Sequence, residues 1–206
     1  MPSAVAERVL LLHGLWMPGA VMTPLARRLR AAGFAPEICG YFGARGGLED
    51  ALPRLAARLQ RPAHVVAHSL GGLVALGVLE AHPELPVARV VCLGSPLCGS
   101  VAARGLARHG PTRRLLGRAA EPLQRGCRPW RGRAQVGSIA GTRPLGLGRW
   151  FAAFDGPHDG TVAVAETRLA GLADHATVPA SHSGLVLSPE AAALTVRFLR
   201  NGRFRP

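Results

Sequence analysis

The stretch His64–Leu76 reads HVVAHSLGGLVAL, and its centre decides the architecture of the chain. AHVVAH (63–68) is a short apolar run of the kind that forms a buried strand. LGGLVALGVLEAH (70–82) is long enough for a helix and is closed by Pro83. Ser69 stands where one becomes the other. A tight strand-to-helix turn strains the backbone at its middle residue and brings its neighbours close, so small residues are needed two before and two after. Ala67 and Gly71 supply them, and Gly72 lets the helix approach the sheet. The pattern is G-x-S-x-G with alanine in the first place. A serine just before a helix N-terminus also has backbone N–H groups aimed at any negative charge that develops beside it. Ser69 is therefore either an ordinary turn residue or a nucleophile held at the end of a strand.

Working outward, strands alternate with helices. RVLLLHG (8–14) is a buried strand, and AVMTPLARRLRAAG (20–33) a helix with arginines on its outer face. FAPEICGYF (34–42) is a strand weakened by Pro36, and LEDALPRLAARLQ (48–60) is helical by period. VARVVCLGS (87–95), AQVGSIAG (134–141) and HATVPA (175–180) are further strands. SPEAAALTVRFLRNG (188–202) closes as a helix, with Ser188 as N-cap and Pro189 at the first helical position. This alternation specifies an α/β fold: one parallel sheet of about six strands, order 2-1-3-4-5-6, covered by helices on both faces. Residues 1–206 read as one domain. Active sites in such sheets gather at the carboxyl ends of the strands, beside the reversal of strand order.

AHSLGG together with LLLHGLW (10–16) resembles the α/β-hydrolase superfamily, in particular a small serine hydrolase of lipase/esterase type, and the resemblance covers essentially the whole chain. It implies a Ser-Asp-His chain order and chemistry by an acyl-enzyme, with no cofactor and no metal. Of the histidines after Ser69, His82 ends a helix, His109 lies in an arginine-rich section and His175 begins the last strand. His182, in VPASHSGL, follows the carboxyl end of that strand, where such enzymes carry the general base. Asp159, in the turn DGTV, resembles the D-G-x-V element that carries the acid in many relatives; Asp155 is the alternative. The resemblance places the backbone oxyanion donors at Leu70, after the nucleophile, and at Leu15, after His13-Gly14. Trp16 and Met17 are candidates for the acyl wall, Trp16 equally for the core. Residues 97–133 leave the sheet where relatives insert a cap. They contain two short amphipathic segments, with Arg113, Arg114 and Arg118 expected on the outer face.

The expected activity is hydrolysis of carboxylic acyl esters or lipids. Thioesterases, acyltransferases and amidases share the triad, and a catalytically silent hydrolase fold that binds anionic partners is the non-enzymatic alternative. The net charge of +13 is carried by arginine alone, since the chain has no lysine. The arginines are spread along helices and loops with few aromatics between them, which argues against specific nucleic-acid binding and leaves peripheral contact with an anionic membrane or headgroups. Cys39, Cys92, Cys98 and Cys127 show no C-x-x-C spacing. His64 and His68 share a strand face, but roughly 13 Å apart they cannot hold one metal ion. No run is long enough to cross a bilayer, and acidic Glu7 before RVLLL speaks against a signal peptide, so a cytoplasmic monomer is expected.

Overall fold

The computed structural model describes residues 7–40, 48–107, 119–146 and 153–205. Among these residues six strands are formed: β1 (Arg8–Leu12), β2 (Ala35–Cys39), β3 (Ala63–His68), β4 (Val87–Leu93), β5 (Gln135–Gly141) and β6 (Asp174–Val178). They make one sheet in the order β2-β1-β3-β4-β5-β6. Every neighbouring pair is parallel, as the alternation of elements requires. Among the described residues the α-helices are α1 (Thr23–Ala31), α2 (Leu48–Arg58), α3 (Leu70–Ala81), α4 (Val101–Ala107), α5 (Ala120–Arg125) and α6 (Pro189–Asn201).

Side chains alternate across the sheet and feed two cores. Leu10 and Leu12 of β1, with Val65, Ala67, Val90, Cys92 and Val136, pack beneath α2 and α3 through Leu55, Val74 and Val78. Val9 and Leu11, with Val66, Val91, Leu93 and Ile139, face α1 and α6 through Leu25, Leu29, Ala191 and Phe198. A sheet buried on both faces explains why β3 is buried at every position.

Two of the boundaries that differ from the sequence reading lie beside a proline. The first helix begins not at Ala20 but at Thr23, after a 3-10 turn at Gly19–Met22. A continuous α-helix would need an N–H at position 24 to reach Ala20, and Pro24 has none. β2 is confined to Ala35–Cys39 and lies at one edge of the sheet. Ala35 N–H donates to Glu7 O at 2.9 Å, so Ala35 faces β1 and Pro36, the next residue, faces outward. The last helix starts as its sequence dictates: Ser188 Oγ accepts from Ala191 N–H at 3.1 Å, and Gly202, at φ 74°, ends it.

After β4 the chain leaves the carboxyl end of the sheet and forms α4 and α5. Ala119 and Leu123 are buried against the α3 side of the core. Arg113, Arg114 and Arg118 lie outside the described residues. Among the described residues no helix is long and apolar enough to cross a membrane.

Candidate active site

Ser69 follows the last residue of β3 and precedes α3 at φ 55°, ψ −124°, a conformation that L-residues avoid. The surroundings hold it there. Its N–H donates to Leu93 O, at the end of β4, at 2.9 Å. Ala67 lies in register with Leu12 and Cys92 on the neighbouring strands. A side chain on Gly71 would start 2.9 Å from His13 O, and one on Gly72 would start 2.2 Å from Ser95 Oγ. The first glycine lets the loop after β1 pass against the elbow; the second lets α3 lie close to β4.

Asp159 and His182 come from loops after β5 and β6 and meet in the interior. Asp159 is 1% exposed. Its Oδ1 accepts from Thr161 N–H at 2.9 Å and Val162 N–H at 2.7 Å, which is the work of the D-G-x-V turn. Its Oδ2 lies 2.7 Å from His182 Nδ1, and its carbonyl accepts from His182 N–H at 2.9 Å. The carboxylate thus has both oxygens occupied; Asp159 holds the ring of the histidine with its side chain and the histidine's backbone with its own main-chain carbonyl. A carboxylate accepts, so Nδ1 carries the proton and Nε2 presents a lone pair. Asp155, the alternative, is exposed. His158 supports the same turn: Gly160 N–H donates to its Nδ1 at 3.1 Å, and its ring stacks on Phe154 at 4.3 Å.

The pair and the elbow are neighbours through the end of β4. A side chain on Gly94, whose φ is 55°, would start 3.1 Å from Asp159 Oδ2 and 3.2 Å from His182 Nδ1. Gly94 directly follows Leu93, which holds Ser69. His68, one residue before Ser69, reaches His182 O with Nε2 at 2.9 Å.

The loop after β1 closes the other side. A side chain on Gly14 would start 3.0 Å from Ser69 Cβ, 3.0 Å from His68 Nδ1 and 3.3 Å from Met17 Sδ, so these three atoms surround one point. Leu70 is fully buried, and Leu15 packs half-buried against the same core. Trp16 is 65% exposed, at φ 58°, on the rim of this loop and not in the core. His13 is buried, with Nδ1 2.8 Å from Gly14 O.

Two residues that join parts of the site went unread in the sequence. One is His68. The other is Glu166, 7% exposed, whose Oε2 accepts from Ala163 N–H at 2.7 Å and whose Oε1 accepts from Val101 N–H at 2.5 Å. Glu166 therefore ties the turn that carries Asp159 to the first turn of α4. Burial pushes its carboxyl up, against the two amides, which favour the charged form. The signal for His68 was a polar residue at the end of an apolar strand, directly before the serine. Glu166 gave no local signal, because Val101 is 65 positions away.

Other acidic and histidine side chains have other tasks. Asp174 Oδ2 accepts from Phe204 N–H at 2.6 Å, and His175 Nε2 lies 2.9 Å from Thr167 Oγ1. His64 Nε2 lies 3.1 Å from Glu7 Oε2. Among the described residues no group of three or more His, Cys, Asp or Glu side chains is placed to hold a metal ion. A surface groove of about 1010 Å³ runs between α3 and the second half of the 97–133 segment. It is lined by Leu76, Leu79, Pro122 and Trp130, with Glu80 and Arg128 across it, and by none of Ser69, Asp159 or His182.

Comparison with known proteins agrees with the fold. The model of a family described as "Alpha/beta hydrolase family" matches residues 9–201. The mature lipase BlEst2 of Bacillus licheniformis is similar in fold, with a TM-score of 0.73 and 22% identity over 97% of this chain and 93% of that one. The metagenomic carboxyl esterase MGS0156 is similar at a TM-score of 0.66 and 20% identity, over 87% of this chain and 65% of that one. A pyrethroid hydrolase from Sphingobium faniae is similar at a TM-score of 0.61 and 18% identity, over 95% and 98%. A search of curated protein sequences found no match.

Proposed function

The chain belongs to the alpha/beta hydrolase family, and from that premise we propose that it is a serine hydrolase cleaving carboxylic acyl esters through Ser69, His182 and Asp159. The observation that carries the reading is the buried Asp159–His182 pair, 2.7 Å apart, bound through His68 and the end of β4 to a serine held at positive φ.

In the proposed reaction His182 Nε2 takes the proton of Ser69 as Ser69 Oγ bonds to the acyl carbon. Asp159 keeps the imidazole in the required tautomer and stabilises its positive charge. The carbonyl electrons move onto oxygen, and the Leu15 and Leu70 N–H groups donate hydrogen bonds to the oxyanion that forms; one such donor is worth about 3 kcal/mol in other serine hydrolases. The ester C–O bond then breaks, and the alcohol leaves with the proton from His182. Water, deprotonated by His182, attacks the acyl-enzyme, and collapse returns Ser69 and frees the acid. Leu15, Trp16 and Met17 form the wall of the acyl subsite. Residues 97–133 act as a small cap, a role supported by the Glu166 bridge between α4 and the acid turn. The arginine charge favours esters presented on an anionic surface.

A fluorophosphonate probe tests the reading at its centre. It labels the wild type and not Ser69→Ala, and p-nitrophenyl esters of increasing chain length, set against a thioester and an anilide, then rank the acyl substrates. A folded Ser69→Ala that retains full ester hydrolysis refutes it.

A further inference from the structure

His68 is the last residue of β3 and has no exposed surface. Its Nε2 lies 2.9 Å from the carbonyl oxygen of His182, a residue 114 positions away. A carbonyl only accepts, so Nε2 carries the proton and donates it. Nδ1 is then a lone pair. It is buried, has no hydrogen-bond partner among the described residues, and faces Gly14, where any added side chain would begin 3.0 Å away. The ring is thus turned with its donor toward His182 and its lone pair toward the loop after β1.

His182 is held at three points. Asp159 takes two of them, the backbone N–H and Nδ1. Both of those bonds lie between loops, so alone they let acid and base drift together relative to the sheet. The bond from His68 has a different origin, because its donor belongs to the strand that carries Ser69. We propose that His68 is a positioning residue, holding the general base at a fixed distance from the nucleophile through a hydrogen bond to the base's own main chain. The inference rests on the assignment of Ser69 as nucleophile and His182 as base.

The arrangement also keeps charge out of the way. The two imidazole rings lie 4.7 Å apart, tilted by 48°. A second cation there would oppose the imidazolium that forms on His182 during the reaction. Burial, foremost, and the nearby His182 push the His68 pKa down to about 3, so His68 stays a neutral donor throughout.

The test uses two substitutions that separate the donor from the ring. In His68→Gln the amide nitrogen falls close to where Nε2 lies and still donates. In His68→Phe the ring volume remains and the donor is lost. With a p-nitrophenyl ester, His68→Phe should lower kcat about tenfold with KM unchanged, and His68→Gln should stay within about threefold of wild type. A merely structural histidine would not give that split with rescue by glutamine. Kinetics of His68→Phe within threefold of wild type overturn the proposal. So does a folded His68→Gln as impaired as His68→Phe. Should His68→Phe fail to fold, His68→Asn, whose amide stops short of the carbonyl, takes its place in the same comparison. Fluorophosphonate labelling keeps the two levels apart: an unlabelled wild type overturns the serine-hydrolase reading itself, whereas a labelled wild type with a fully active His68→Phe overturns only the role of His68.

Discussion

Lowering the pH from 7 to 5 should cost this protein stability, and His68 allows the size of one contribution to be worked out. The ordinary value for histidine is 6.5, and in the fold burial drives His68 down to about 3. A depressed folded value means that the native state holds the neutral ring while the unfolded chain takes up a proton. The contribution is therefore complete above pH 6.5 and is lost progressively as the pH falls toward 3. At about 1.4 kcal/mol per pH unit below 6.5, the loss between pH 7 and pH 5 is about 2 kcal/mol. For a chain of this size that corresponds to a fall of about 4–8 °C in Tm. Burial also depresses His64, and depresses His175 to about 4, which adds to the loss in the same direction. The control is His68→Gln, which keeps those two groups and removes only the titration at position 68. Urea unfolding followed by circular dichroism at pH 7 and pH 5 gives the four stabilities needed. The expected result is that His68→Gln loses about 2 kcal/mol less than the wild type over this interval. Equal losses in the two proteins would refute the reasoning, because they would mean that position 68 takes up no proton on unfolding.

Asp159→Asn should lower kcat by about 10⁴-fold, since the amide favours the wrong tautomer of His182. Exposed Asp155→Asn should leave kcat within about twofold, and the reverse ranking would move the acid to Asp155. Glu166→Ala leaves the buried N–H of Ala163 and the part-buried N–H of Val101 without their carboxylate partner. It should cost about 3 kcal/mol in urea unfolding at pH 7, and an unchanged midpoint would show that the bridge contributes nothing. Gly94→Ala puts a methyl group 2.7 Å from Leu185 Cδ1 at φ 55°. The backbone conformation and the overpacking together should cost about 3 kcal/mol, with kcat falling as the Asp159–His182 pair is displaced; wild-type stability and rate would contradict that.

What could be read from the sequence was what depends on near neighbours or on chain order. The switch of period at Ser69, the small residues on either side of it, and the alternation of strands with helices all follow from local chemistry, and they lead to the observed sheet order. Position after the last strand, together with the resemblance to α/β-hydrolases, singled out His182, and the resemblance of Asp159-Gly160-Thr161-Val162 to the family's acid turn singled out the residue that the structure places against it. The start of α1 was misjudged although Pro24 announced it, because the apolar period continues through the 3-10 turn that precedes it. The fastenings of the site were not legible. Glu166 is a carboxylate in an unremarkable loop until folding brings α4 to it. His68 was weighed only as a metal ligand and set aside, because its partner is a main-chain oxygen and no side chain marks a carbonyl in advance. Of the stretch read as the second strand, Phe34 and Gly40 fall outside β2, and Tyr41 and Phe42 lie outside the described residues.

Pro36 has a consequence beyond the length of its strand. With Ala35 turned toward β1, the outward flank of β2 should present its groups at positions 36 and 38, and the first of these has no hydrogen to offer. A strand from a second molecule laid against that flank would find a pyrrolidine ring where the ladder needs a donor. Beside it the Glu37 carboxylate is claimed by Arg8 at 2.7 Å, which leaves a charged ion pair next to the gap. A parallel sheet with an open side is a template on which copies of itself can grow. Here one imino acid, second in a five-residue strand, blunts that template, so the residue that weakened the case for a strand is also one that hinders the strand from recruiting another.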